Sequence, residues 1–408
     1  MAFSALSFYL SPYSSILPES LSSHLSTRGD TVIEYRPQLD GMRFCAVFLV
    51  LFYHYSDWIR TLKIPFTIDM GTFISFFFVL SSYLITTILL TKKNSPSGKM
   101  HTAYNFLTRR TLRIFPAYYF YLTLLILLPS AGWDVHQHAY LYFSYLNNFH
   151  IYASQAWNNL TSHLWTLAVE EQFYIVWIWV ILYIPERYLL RVFGGIIIFS
   201  VVFRLLYYIL HKQAATEIIP YIILTPACID GFAFGAILAY MHERGKSCSP
   251  VLKKVFLVIL PVWIALILLH AKGILLGFDR VFAGIGSMIL VEGASNRYRN
   301  AAGRFLENRV VTYLGKISYG IYLYHLLVPF VFWKLYNPFS AYLLHKKHID
   351  LEPLTEFLVQ PWASFFLYLL LTVGVAIVSW HLLEQPVSSL KRYFNYKSVP
   401  RKQATAQP

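Results

Sequence analysis

Ten apolar stretches of roughly bilayer-crossing length follow one another along this chain. They lie at residues 42–60, 72–91, 114–129, 164–184, 192–210, 219–241, 252–270, 280–292, 313–334 and 362–384. A helix needs about 20 mostly apolar residues to cross the hydrocarbon, and a lipid-spanning segment must satisfy its own backbone polar groups. The pattern therefore predicts an all-α polytopic membrane protein with about ten transmembrane helices. The third and eighth stretches are short for a span, and 138–149 is aromatic but only half a span, which reads as re-entrant or interfacial. Composition agrees: 57% of the 408 residues are hydrophobic and 13% are charged, against about 25% charged in soluble domains.

Basic residues set the expected orientation. Of the 34 Lys and Arg, 25 fall before the first stretch, in every second connection after it, or behind the tenth, and seven fall in the alternate connections. Arg204 and Lys334 lie inside spans. Cytoplasmic loops carry the excess of Lys and Arg, so both termini are expected in the cytoplasm, and an even span count keeps the alternation. The formal charge of +14 then reflects topology and contact with anionic lipid in the bilayer. No nucleic-acid partner is expected.

Three parts are expected: a cytoplasmic tail over 1–34, an integral-membrane domain over 35–390, and a basic tail over 391–408. No Lys or Arg precedes Arg28, so no secretory signal is expected. Cys45, Cys228 and Cys248 give neither a disulfide framework nor paired metal-ligand spacing, and no metal site is expected.

The first stretch carries the sharpest chemistry. Tyr35-Arg36-Pro37-Gln38-Leu39-Asp40-Gly41-Met42-Arg43 opens it, and His54 lies deep inside it. The eleven-residue spacing puts Arg43 and His54 on nearly one helix face, roughly 16 Å apart along the axis. An ionisable residue inside a span is costly and points to function. With the expected orientation, His54, Glu170 in the fourth span and Arg204 in the fifth share one depth, roughly 9 Å below the outer edge. That reads either as a polar chamber or as a Glu170–Arg204 pair that only fixes packing. His163 and Trp165 would stand at its rim, and Asp57 would orient His54. Asp40 reads as a helix cap. Asp230 is intramembrane and has no assigned role. On the other side, Arg109-Arg110-Thr111-Leu112-Arg113 places Arg110 and Arg113 on one face, where guanidinium forks suit phosphate oxygens.

Together these segments resemble the acyltransferase-3 family of integral-membrane O-acyltransferases. The resemblance covers roughly 35–390. It rests on Tyr35–Arg43 with His54, Phe76-Phe-Phe-Val-Leu-Ser81, Arg109-Arg110-Thr-Leu-Arg113-Ile-Phe-Pro116, His163-Leu-Trp-Thr-Leu-Ala-Val-Glu-Glu-Gln-Phe-Tyr174, Leu314-Gly-Lys-Ile-Ser-Tyr-Gly-Ile-Tyr-Leu-Tyr-His325 and Glu384-Gln-Pro386. The chain departs from the family at Ser82, where glycine is usual, at Ser75, where an acidic residue is common, and at Thr166, where serine is usual. Some family members carry a hydrolase-like domain after the last span. The sequence stops about 24 residues past its tenth stretch, so none is expected.

The resemblance implies transfer of an acyl group, acetyl above all, from its coenzyme A thioester to a hydroxyl of a cell-surface glycan or glycolipid, in a bacterial inner membrane. No bound cofactor is expected, with acetyl-CoA or another acyl-CoA as co-substrate. His54, Arg43 and Glu170 are the implied catalytic residues and Arg110 and Arg113 the implied donor site. Asp40, Arg204, Ser318, Tyr319 and His325 support them. His54 would act as base, or be acylated transiently, with the donor's pantetheine arm running along the first span. Glu384-Gln385-Pro386 reads as helix termination. A secondary transporter would also carry buried charges, but it should show an internal repeat, and none is visible.

Overall fold

The computed structural model describes residues 35–56, 70–128, 132–210, 223–268 and 272–394. Among these the chain is helical throughout, without a strand. The expected tails over 1–34 and beyond 394, and Asp57, lie outside the described residues.

Ten long helical units follow the ten apolar stretches. They are α1 (Pro37–Tyr55), α2 (Met70–Lys92), α3 (Lys99–Leu127), α7 (Leu164–Tyr183), α8 (Glu186–Leu210), α9 (Thr225–Glu243), α10 (Ser249–Leu268), α11 (Lys272–Ser295), the pair α14 (Ser318–Tyr324) and α15 (Leu327–Lys347), and α17 (Pro361–Ser379). Short helices connect them: α4 (Trp133–Gln137), α5 (Ala139–Phe143), α6 (Asn147–Ser154), α12 (Ala301–Leu306), α13 (Arg309–Lys316), α16 (Glu352–Leu358) and α18 (Gln385–Ser389). Among the described residues, five helices are long and apolar enough to cross a membrane: Phe73–Lys92, Leu164–Tyr183, Glu186–Leu210, Ser249–Leu266 and Pro361–Tyr393. Several of the other long helices hold charged groups, among them Arg110 and Arg113 on α3 and Asp230 on α9. Leu257 and Val258 on α10 are each 70% exposed. Such apolar exposure is costly against water and is satisfied against lipid.

The opening motif explains its own residues. Pro37 starts α1, where its missing N–H has no helical partner to lose. Gln38 is buried. Its side chain donates to the Tyr298 carbonyl and to Glu307 Oε1, both at 3.0 Å, and accepts from the Tyr298 N–H at 2.8 Å. Arg36 donates to Tyr83 on α2. The glycines allow α1 to meet the α12–α13 segment backbone to backbone. A Cβ on Gly315 would stand 1.9 Å from the Asp40 carbonyl oxygen, and one on Gly41 would stand 2.3 Å from that of Leu306. The Leu39-Asp-Gly and Leu314-Gly-Lys motifs thus interlock. Asp40 is not a cap: α1 has no side-chain cap bond, and Asp40 instead accepts from Arg43 at 2.8 Å and from Tyr35 at 2.9 Å.

The C-terminal motif also departs from expectation. Pro386 does not end the helix. Residues Trp380–Glu384 form a π turn between α17 and α18. The wider turn accommodates the hydrogen bond that proline cannot make and relieves its clash with the preceding carbonyl. It buries Glu384, which accepts from Ser379 at 3.1 Å.

The segment 138–149 forms α5 and the start of α6 and lies against α3 and α7. Tyr118 and Tyr119 donate to the carbonyls of Tyr142 and Phe143, and Gln172 donates to the Tyr145 carbonyl. The orientation read from the basic residues makes a direct prediction. Reporter tags at residue 95 and at the C-terminus report cytoplasm, and a tag near residue 155 reports the outside. An external C-terminal tag would overturn the orientation.

Candidate active site

α1, α2, α3, α7 and α14 surround a cavity of about 110 Å³. Arg43 comes from α1, Ser81 from α2, Arg110 and Arg113 from α3, Glu170, Glu171 and Tyr174 from α7, and Ser318, Tyr319 and Tyr322 from α14. A second, wider cavity of about 500 Å³ lies beside it, bordered by Tyr35, Arg36, Asp40, Tyr83, Lys316, Glu384 and Lys391. Arg43, Arg110 and Arg113 line both. The three guanidinium groups therefore stand where a broad basic vestibule meets a narrower and more enclosed pocket.

Each arginine is placed by specific contacts. Arg43 is held by Asp40 one turn earlier on α1. Arg110 lies over the rings of Tyr174 and Phe106, 5.3 and 5.7 Å from their centroids, in cation–π geometry. Arg109, the third basic residue of that motif, points elsewhere and donates to the carbonyls of Lys391 and Phe394.

In the pocket, Glu170 accepts from the Tyr174 hydroxyl at 2.8 Å, and that hydroxyl meets Ser81 Oγ at 2.7 Å. The Glu170–Tyr174 spacing is one helical turn, so the pair can be read from sequence once Glu170 is suspected. Ser318 and Tyr319 line the same pocket, and Tyr319 donates to the Ile114 carbonyl at 3.1 Å. Tyr174→Phe removes the hydroxyl that joins Ser81 to Glu170. A lost hydrogen bond of this kind costs about 0.5–1.5 kcal/mol, so turnover should fall roughly 2- to 13-fold with the protein still folded. Unchanged turnover per inserted molecule would show that the bond does not position Glu170.

His54 lies beyond this pocket. Its ring is 4.9 Å from that of His325, which is 5.0 Å from that of His163. His325 and His163 are buried. The Tyr322 carbonyl accepts from His325 Nδ1 at 2.5 Å, and the Leu323 carbonyl accepts from His163 Nε2 at 3.0 Å. Those bonds place a proton on His325 Nδ1 and on His163 Nε2, since a carbonyl oxygen only accepts. Tyr322 belongs to both regions. It lines the pocket, bonds Thr166 Oγ1 at 2.8 Å, and lies 5.5 Å from the His325 ring. The face of α1 between Arg43 and His54 is not an open track, because Val47 and Val50 on it are fully buried.

Two expected members lie elsewhere. Arg204 is fully buried and pairs with Asp230 at 2.7 Å. It also donates to the Ala227 and Gly277 carbonyls and to Ser200. It does not meet Glu170. Equal depth does not mean proximity, because α8 faces α9 and α11. Trp165 packs in the core rather than at a rim. Glu171, Tyr174, Glu384 and Lys391 are cavity residues that the sequence reading gave no role.

Residues 36–381 match the profile of a family described as an acyltransferase domain. The chain belongs to the acyltransferase-3 family. A protein of Staphylococcus aureus (strain MSSA476), provisionally named an O-acetyltransferase, is 28% identical over 385 residues, covering 87% of this chain and 57% of the relative. The peptidoglycan O-acetyltransferase OatA of Listeria monocytogenes serovar 1/2a (strain ATCC BAA-679 / EGD-e) is 25% identical over 320 residues, covering 72% of this chain and 49% of the relative. The O-acetyltransferase OatA of S. aureus (strain MRSA252) is 24% identical over 397 residues, covering 91% and 60%. The chain thus spans about half to three-fifths of the length of these relatives. No solved structure matches.

Proposed function

We propose that this acyltransferase-3 chain transfers an acyl group, acetyl above all, from acyl-CoA to a hydroxyl of a cell-surface glycan such as peptidoglycan, in a bacterial inner membrane. The observation that carries the reading is the set of three arginines shared by the two cavities. A coenzyme A thioester brings several phosphates and a long, nearly neutral arm. The vestibule suits the phosphates, since Arg43, Arg110 and Arg113 offer forked, permanently charged donors. The enclosed pocket beyond them suits the arm.

His54 acts as the general base in this reading. It takes the proton from the acceptor hydroxyl as that oxygen attacks the thioester carbonyl. The tetrahedral intermediate collapses by breaking the carbon–sulfur bond, and the imidazolium returns the proton to the coenzyme A thiolate. The products are the acyl ester and free coenzyme A. Imidazole takes the first proton and its conjugate imidazolium gives it back, which suits a group that changes charge near pH 7. His325, 4.9 Å away between rings, shapes the field around His54. Glu170 and Tyr174 orient the polar end of the arm or the acceptor, and Asp40 holds Arg43 in place. Arg204 serves through packing alone, by holding α8 to α9 and α11.

The test is reconstitution. Purified chain in liposomes, given acetyl-CoA and peptidoglycan fragments, is expected to release coenzyme A and form base-labile acetyl esters. Coenzyme A release that does not depend on any added hydroxyl acceptor would count against glycan acylation.

A further inference from the structure

We propose that Asp134, His138 and His150 form a binding site for a zinc-class divalent cation that staples the α4–α6 segment. The three side chains come from α4, the residue that follows it, and α6, and they line neither cavity. His138 Nδ1 and His150 Nε2 each lie 3.0 Å from the same carboxylate oxygen, Asp134 Oδ1. The two imidazole rings face one another with centroids 4.1 Å apart and planes at 36°. One ligand atom from each residue lies within 4.8 Å of the others.

Two imidazoles, tilted against each other, both aim a nitrogen at one carboxylate oxygen, so three ligand atoms converge on one point. A cation there takes a lone pair from each ring and one from the carboxylate. The dimensions fit. Zinc bonds to nitrogen and oxygen are about 2.0–2.2 Å, and two such bonds meeting near a right angle span about 3 Å. Two imidazoles and a carboxylate are also the donor set that borderline divalent ions prefer over calcium or magnesium.

The surroundings resemble the outer layer of a metal site. Tyr142 donates its hydroxyl to Asp134 Oδ2 and meets Thr161 Oγ1 at 3.1 Å. Such partners orient a ligating carboxylate. The side chains of His138, Asp134 and His150 are 35%, 16% and 12% exposed, which leaves a side open for water as a fourth ligand.

The position gives the site a use. Asn148 lies two residues before His150 and accepts from Gln172 at 2.9 Å, and Gln172 is two residues from Glu170 on α7. A metal that joins α4 to α6 would therefore brace the helix that carries the pocket carboxylates. Spacing alone gives only a weak signal: His138 follows Asp134 by one turn, but His150 comes from a separate helix.

The test uses the full chain, purified without a histidine tag, stripped with chelator and then titrated with zinc. After gel filtration the wild type is expected to retain about one zinc per chain, and zinc should raise its melting temperature. His150→Ala should bind more than about 100-fold more weakly, since losing even an outer partner costs about 10- to 100-fold. His136→Ala, at an exposed neighbour on α4, should behave as wild type. If His150→Ala does not fold, His138→Gln and the visible cobalt(II) spectrum of the wild type report on the same ligands. Zinc content at background, or equal zinc retention in His150→Ala, would overturn the site.

Discussion

His54→Ala is expected to abolish transfer while the protein inserts normally. A positioned base contributes about 10²- to 10⁴-fold to a proton-transfer step, and alanine leaves no group to take the acceptor proton. The site predicts a specific companion result. Turnover should fall at saturating acetyl-CoA, with little change in the apparent donor constant. The arginines proposed to hold the donor are Arg43, near the start of α1, and Arg110 and Arg113, on α3, not groups at His54's end of α1. A fall in turnover with unchanged donor affinity is the signature of an interaction made in the transition state. His54→Gln should not rescue, since an amide can hydrogen-bond but cannot accept the proton. Near-normal turnover in either variant, normalised to inserted protein, would remove His54 from the chemistry.

The arginine junction predicts the opposite kinetic pattern. Each arginine–phosphate contact is charge-assisted, and losing one costs about 1.5–3 kcal/mol. Arg110→Ala and Arg113→Ala should therefore each raise the apparent acetyl-CoA constant roughly 10- to 150-fold and affect saturated turnover less. Lysine should rescue poorly, because it keeps the charge and loses the fork. At Arg110 it also loses the planar stacking over Tyr174 and Phe106. If these residues served only topology and lipid contact, the variants would insert in lower amounts and bind donor unchanged per molecule. Titrating acetyl-CoA against membranes normalised for inserted protein separates the two outcomes.

The all-helical architecture was legible because long apolar runs are a one-dimensional signal. The pairing of Arg110 with Arg113, and of Arg43 with His54 on one face of α1, needs only helical periodicity. What sequence could not supply was which helix each face meets. The expected orientation gives Arg204 and Glu170 one depth, but Arg204 turns toward Asp230, and depth carries no angular information. Asp40 precedes a glycine as a cap might, yet α1 already starts at Pro37, so Asp40 lies inside its first turn and pairs with Arg43 one turn on. The track along α1 fails for a similar reason, since Val47 and Val50 on that face are packed against neighbours. Pro386 carries a strong local stop signal, and a π turn absorbs it. The histidine cluster required His163, before α7, and His325, after α14, to meet α1. No local pattern contains that fact.

The most direct measurement follows label from the acetyl group of acetyl-CoA into glycan by purified protein in sealed proteoliposomes, with wild type and His54→Ala side by side. Wild type should move label into a base-labile ester as coenzyme A is released in equal amount, and His54→Ala should do neither. Label transfer in the variant at the wild-type rate, or wild-type protein that binds acetyl-CoA and acylates no hydroxyl acceptor, would contradict the account.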